Sequence, residues 1–117
     1  MVRVMIAEEL KNKILKKFKK ESKIIFKQMH SLENNPKKGK LLGSVGGIVI
    51  KEIKYKSFRF YFITDGYKLK ILDKENLTDI LIRFVRMSDK KHQQQTIKEI
   101  KSVLINIGFE EDWDIKN

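Results

Sequence analysis

The chain has 117 residues, enough for one domain that buries its own core without disulfides or a structural metal. Hydrophobic residues make up 41% of it, which is typical of a globular protein and excludes a disordered one. There is no cysteine, and 26 Lys and Arg against 15 Asp and Glu give a formal net charge of +11. This charge favours a polyanionic partner such as nucleic acid, an anionic membrane surface or an acidic protein, unless it reflects only a lysine-rich compositional habit.

No apolar run approaches the roughly 20 residues that a membrane-spanning helix needs. The first residues, MVRVMIAEEL, are too short and too soon charged for a signal peptide. We therefore expect a soluble, cytoplasmic single domain over residues 1–117, with no membrane partner.

The chain begins with a strand pattern and then changes period. Residues 2–6, VRVMI, alternate apolar and other side chains, which predicts a short strand. Leu10, Ile14 and Phe18 then recur at every fourth position, as in an amphipathic helix with lysines on its outer face.

A second helix is predicted over residues 21–32, ending before the breakers Pro36 and Gly39 in NNPKKGK. Residues 1–34 would thus form a strand followed by an αα-hairpin. Most of the lysines of the hairpin are expected to be simply solvated.

The middle of the chain reads as an antiparallel meander over residues 47–86. The glycine-rich segment 41–47 is predicted to be a loop, and strands are predicted over 48–53 and 58–64. Asp65-Gly66 between two alternating runs predicts a tight hairpin turn into a further strand over 67–72.

The last part of the chain is predicted as turn, strand and helix. A turn over 73–76 leads into a strand over 77–85. A helix over 92–107 follows, with Gly108 as its C-cap, and an acidic tail occupies 109–117.

The predicted order is β-α-α-β-β-β-β-α, an α+β domain with a twisted antiparallel sheet of four to five strands. With the helices packed on one face of the sheet, the other face would be open. Arg59 and Tyr61, which alternate with Phe58, Phe60 and Phe62, would point out of that open face.

Motifs for nucleotide binding and for hydrolase triads are absent from the sequence. His30 and His92 lie far apart and are read as lacking a carboxylate or cysteine pattern nearby, so neither a metal nor a cofactor is expected.

A group of basic residues is left as the candidate site, and the predicted meander would bring these residues together. Several cations around one point suit phosphate, because guanidinium forks bind its oxygens and stabilise developing charge. Arginine cannot transfer protons, whereas histidine can near neutral pH. The alternative is that Arg83 and Arg86 pair with Asp79, Asp89 or the acidic tail. The candidates are Lys54, Arg59, Arg83, Arg86, Lys90, Lys91 and His92, with Lys51 and Tyr61 as further RNA-binding residues.

Three stretches resemble the RelE/ParE/HigB superfamily of small toxin proteins: NNPKKGKLLGSVGG, EIKYKSFRFYFITDG and FVRMSDKKHQQQTIKEIK. The likeness extends over about residues 2–105 and implies a RelE-like fold. It also implies a ribosome-dependent endoribonuclease that cleaves mRNA by activating the 2′-OH against the adjacent phosphate.

The resemblance assigns roles by position. Arg59 would be the phosphate and transition-state ligand, Lys54 a basic residue on the preceding strand, and Arg86 the cation that ends the last strand. His92 would transfer protons. The implied partners are mRNA on the ribosome and an acidic antitoxin that covers Arg59 and Arg86, with the toxin a monomer alone and a hetero-oligomer with its antitoxin.

Two alternatives stay open at this point. One is a ParE-like toxin that binds gyrase and has no nuclease activity. The other is a catalytically inactive RNA-binding relative, which is suggested by Glu52 where the RelE branch has a second lysine and by Phe58 where a tyrosine is usual.

Overall fold

The computed structural model describes residues 1–72 and 79–107, and these form an α+β domain around a five-stranded mixed sheet. Two short 3-10 helices lie at Lys19–Glu21 and Ser31–Glu33. The strands are β1 (Val2–Ile6), β2 (Lys40–Val45), β3 (Ile48–Tyr55), β4 (Phe58–Asp65) and β5 (Ile80–Asp89), and the helices are α1 (Glu8–Phe18), α2 (Ser22–His30), α3 (Gly66–Ile71) and α4 (Gln93–Ile107).

The strands lie in the order β1-β5-β4-β3-β2. Strands β2 to β5 pair antiparallel with their neighbours. Of these, β3, β4 and β5 were predicted as strands of the meander, whereas β2 was not. Strand β1 joins the same sheet but runs parallel to β5, with Val4 opposite Ile82. The sheet is therefore mixed rather than antiparallel throughout.

Alternation along β4 divides the core into two layers. Phe60 and Phe62 belong to a cluster with Ile14 and Ile25, which come from α1 and α2. The α1 and α2 stripes supply much of the apolar surface of this layer.

The other face of the sheet is covered as well, so the prediction of an open face is wrong. Ile97, Ile100 and Leu104 of α4 form a second cluster with Tyr61 and Ile63 of the sheet. The stripe on α4 must bury its apolar area, and the alternate positions of the strands offer the matching surface. We call this side of the sheet the α4 face.

Two segments have a different structure from the one predicted. The glycine-rich stretch forms strand β2 instead of a loop, because it pairs along β3 with an irregularity between Leu41 and Gly43. Asp65-Gly66 begins helix α3 instead of a hairpin, since the Asp65 carboxylate accepts a hydrogen bond from the Lys68 amide at 3.0 Å and caps the helix.

The predicted turn at 73–76, the C-cap at Gly108 and the acidic tail 109–117 lie outside the described residues. Strand β5 is described from Ile80 and α4 from Gln93. Within the described part of the chain, no helix combines the length and the apolar character needed to cross a bilayer.

Candidate functional site

A cleft of about 550 Å³ opens at the end of the sheet where β4 begins and β5 ends. Helix α1 forms one wall and the start of α4 the other. The lining residues are Lys13, Lys16, Lys17, Phe58, Met87, Ser88, Asp89, His92 and Thr96.

The wall formed by α1 is strongly cationic. Lys13, Lys16 and Lys17 are exposed, and the Lys17 ammonium lies 4.9 Å from the centre of the Phe58 ring. Among the described residues, the only ion pair of these three lysines joins Lys13 to Glu9 at 3.9 Å, and both side chains are solvated. A pair of this kind is weak, so the wall keeps an excess of positive charge that attracts anions.

The opposite wall carries a histidine that is oriented by a carboxylate. Asp89 Oδ1 accepts a hydrogen bond from the His92 backbone N–H at 2.9 Å and lies 2.8 Å from His92 Nδ1. These hydrogen bonds from His92, the side-chain one foremost, hold the pKa of Asp89 below its ordinary value, so the carboxylate is an acceptor only. Nδ1 therefore carries a hydrogen, and in the neutral ring Nε2 is free to accept a proton.

This carboxylate was not predicted from the sequence, and the expectation that neither histidine has a carboxylate nearby is wrong. His92 has Asp89 three residues before it, and His30 Nδ1 lies 3.5 Å from Glu33 Oε2, three residues after it. Aspartate three residues ahead of an amide is the spacing of a helix N-cap. That spacing was the signal by which Asp89 could have been found.

Tyr61 does not stand on an open face, contrary to prediction. Its side chain is fully buried (0% exposed) below α4, and its hydroxyl lies 2.7 Å from Ser88 Oγ. Since Ser88 Oγ donates its hydrogen to the Asp89 carbonyl at 2.9 Å, the Tyr61 hydroxyl is the donor to Ser88. Burial raises the pKa of Tyr61, and the ring is not available for stacking on a base.

Arg59 also lies inside the protein, and its neighbour is a carboxylate. Arg59 is 8% exposed and Glu52 2% exposed, with Arg59 Nε 4.0 Å from Glu52 Oε2. Neither of these two atoms has a hydrogen-bond partner. The other carboxylate oxygen, Oε1, accepts a hydrogen bond of 2.9 Å from Gln93, and one guanidinium nitrogen donates to the Ser57 carbonyl at 3.3 Å.

The other cations of the α4 face remain more accessible. Lys54 is directly across from Arg59 in the strand register and is exposed, and Arg83 and Arg86 are half-buried. Neither of these arginines forms an ion pair with a described residue. Of their predicted partners, Asp79 contacts the N-terminal amine and Asp89 contacts His92.

Of the remaining predicted residues, two are near the cleft and one is not. Lys90 and Lys91 are exposed immediately before His92. Lys51 projects to the side of the sheet covered by α1 and α2, where its ammonium donates to the Lys37 carbonyl at 2.9 Å and lies 5.9 Å from the Phe62 ring. Burial lowers the pKa of Lys51, and this lysine does not join the other cations.

Within residues 1–72 and 79–107, no group of three or more His, Cys, Asp and Glu side chains could hold a metal ion. The cleft instead combines a cationic wall, an aromatic ring and one oriented imidazole. Cations of this kind bind phosphate, and the imidazole can move a proton beside it.

Comparison with known protein families, with curated proteins and with solved structures gives no match for this chain.

Proposed function

We propose that this protein is an endoribonuclease that cleaves mRNA on the ribosome, as the toxin of a toxin–antitoxin pair. The observation that carries the proposal is the cleft, which is lined both by an imidazole that Asp89 orients and by three lysines of α1. The net charge of +11 and the three stretches that resemble the RelE/ParE/HigB superfamily support the same function.

In the proposed reaction, the lysines of the cleft bind the phosphodiester and His92 acts as the base. Nε2 of His92 takes the proton of the ribose 2′-OH while O2′ forms a bond to phosphorus. The P–O5′ bond breaks, and the proton passes from the imidazolium to O5′. The products are a 2′,3′-cyclic phosphate and a 5′-hydroxyl.

The neighbouring groups assist by charge. The negative charge that develops on the phosphate oxygens is stabilised by Lys13, Lys16 and Lys17. The Asp89 carboxylate stabilises the imidazolium that forms. Because it binds Nδ1 of His92, Nε2 on the other side of the ring points away from the carboxylate.

The partner that this charge distribution suits is an acidic antitoxin. An acidic segment laid along the cleft would meet the same lysines as the RNA phosphates and would block them. We also propose a cytoplasmic location, because both mRNA and the ribosome are there.

A second candidate is an RNA-binding relative that does not cleave. It is favoured by Glu52, which lies next to Arg59 and places a negative charge beside the arginine that the family resemblance makes a phosphate ligand. In that case the cleft would bind RNA with its lysines, and His92 would serve only to begin α4.

The test is induced expression in cells with mapping of mRNA ends, comparing wild type with His92→Ala. We expect cuts inside translated codons, and a loss of about 10²–10⁴-fold in cleavage rate for the variant. Uncleaved mRNA together with growth arrest would point to a ParE-like gyrase target, and bound but uncut RNA would point to the inactive relative.

The cationic wall is tested with the double variant Lys16→Gln/Lys17→Gln. Lys27→Gln is the matched control, because Lys27 is also exposed but lies on α2 and outside the cleft. We expect weaker RNA binding only in the double variant, with a smaller dependence of affinity on salt by about 0.7 in the log–log slope for each lost phosphate contact. Equal slopes for both variants would remove α1 from the RNA site.

A further inference from the structure

Arg59 and Glu52 form a buried pair with poor geometry for a stabilising contact. Their nearest charged atoms are 4.0 Å apart, and both of these atoms lack a hydrogen-bond partner. The side chain of Glu52 is 1% exposed and that of Arg59 10% exposed. Burying two charges costs free energy that only good hydrogen-bond geometry offsets. A contribution to the stability of the fold therefore does not explain why this pair is buried.

The second carboxylate oxygen of Glu52 contacts the start of α4. Glu52 Oε1 accepts the 2.9 Å hydrogen bond from Gln93, the first residue of α4. The residue before Gln93 is His92. The hydrogen bond therefore ties the start of α4 to the middle of β3, within one residue of the imidazole in the cleft.

The adjoining contacts lead to the same imidazole. In the strand register, Arg59 lies opposite Ser88, and Ser88 precedes the Asp89 that orients His92. Thr96 Oγ1 donates to the His92 carbonyl at 2.9 Å and fixes the first turn of α4 from the other side. His92 is thus held by Asp89 at its ring and by Gln93 and Thr96 through its backbone.

We infer that Glu52 is a positioning residue for His92, acting through Gln93, and that the role of Arg59 is to supply the counter-charge beside the buried Glu52 carboxylate. This inference rests on the proposed function for its effect on cleavage. It differs from the role implied by the family resemblance, in which Arg59 itself touches the phosphate. It also accounts for a guanidinium in the middle of an apolar strand.

The two roles of Arg59 are separated by restoring charge balance without restoring the arginine. Arg59→Met leaves Glu52 unpaired and should lower kcat by about 10²-fold through misplacement of His92, with KM for RNA nearly unchanged. Glu52→Gln/Arg59→Met removes both charges but keeps an oxygen that accepts from Gln93. We expect kcat of the double variant within about threefold of wild type, because a neutral pair replaces a buried ionic one at little cost.

If Arg59 binds the phosphate, the double variant is as inactive as Arg59→Met, and our inference is overturned. Circular dichroism at the assay temperature is the control that checks whether both variants are folded. In folded variants, a loss of activity reports on the site.

A second measurement does not depend on cleavage at all. The chain has two histidines, so His92 is followed by NMR of its imidazole, with His30 as the internal reference. Gln93→Ala should shift the imidazole resonances of His92 and weaken the Nδ1–H signal that reports the hydrogen bond to Asp89. Gln94→Ala is the matched control, an exposed glutamine on the same turn, and should leave both signals in place.

Unchanged His92 signals in Gln93→Ala would overturn the inference whatever the enzyme does. Shifted signals in a protein whose wild type cuts no RNA would refute the proposed function and leave the positioning role intact.

Discussion

Replacing Arg59 with methionine should destabilise the fold strongly, although Arg59 is a charged residue on a sheet. Glu52 would remain as an unpaired carboxylate at 2% exposure, below Gln93 and α4. Removing one partner of a buried pair costs about 3–5 kcal/mol, and the 4.0 Å separation places this pair at the lower end, near 3 kcal/mol. For a chain of this size that corresponds to a fall of roughly 12 °C in Tm.

The assay is urea denaturation followed by circular dichroism, with the slope of the transition checked for a constant value. Glu52→Gln/Arg59→Met should recover to within about 1 kcal/mol of wild type, since no buried charge is left. Lys54→Met is the control, because Lys54 lies directly across from Arg59 but is exposed, and its change should stay within about 0.5 kcal/mol. A loss below about 1 kcal/mol for Arg59→Met, or a double variant no more stable than the single one, would refute this account of the pair.

Three further predictions concern the rest of the fold. Phe62→Ala, at a fully buried ring, should lose about 3–5 kcal/mol in urea denaturation, whereas Leu41→Ala, at 62% exposure, should stay within about 0.5 kcal/mol; similar losses would contradict the assignment of the core. The hydrogen bond from Lys56, and after it the one from Tyr55, lowers the pKa of the Glu21 carboxyl below its ordinary value of 4.5. The ionised carboxylate therefore stabilises the fold above pH 4.5, and this stabilisation is lost as the pH falls below that value. Glu21→Gln should therefore lower Tm at pH 7, and the difference from wild type should shrink below pH 4.5; a difference that is constant with pH would contradict the contact. Asp65→Ala removes the cap of α3 and should cost about 1 kcal/mol by the same urea assay, with no change expected if residues 67–72 formed the strand that their alternation predicts.

The strongest local patterns predicted their elements correctly. The four-residue spacing of Leu10, Ile14 and Phe18 gives helix α1, and the alternation of Phe58, Phe60 and Phe62 gives strand β4. These patterns are long enough that only one period fits them. The shorter segments at 40–45 and 66–71 failed, because a few residues with glycines fit loop, strand or helix, and only pairing with β3 or capping by Asp65 decides between them.

The sequence predicted the kind of chemistry of the candidate site, but not all of the residues that line it. His92 was identified, since a histidine among cations is visible in the sequence. Lys16 and Lys17 were set aside as solvated residues of a helix, and they line the cleft more than 70 positions away along the chain from His92. Contacts between residues so distant in sequence depend on how α1 packs against the sheet, which no local pattern records.

By itself, the sequence determined the positive charge of the protein, the amphipathic helices α1, α2 and α4, and the strands β1, β3, β4 and β5. These follow from composition and from periods of two and 3.6 residues, which act within each segment. Only the tertiary structure decided that α4 covers the second face of the sheet and that Arg59 is buried against Glu52. The physical reason is that burial and pairing of charges depend on which surfaces meet. The same strand alternation that predicted an open face for Arg59 and Tyr61 also suits a face covered by the apolar stripe of a helix.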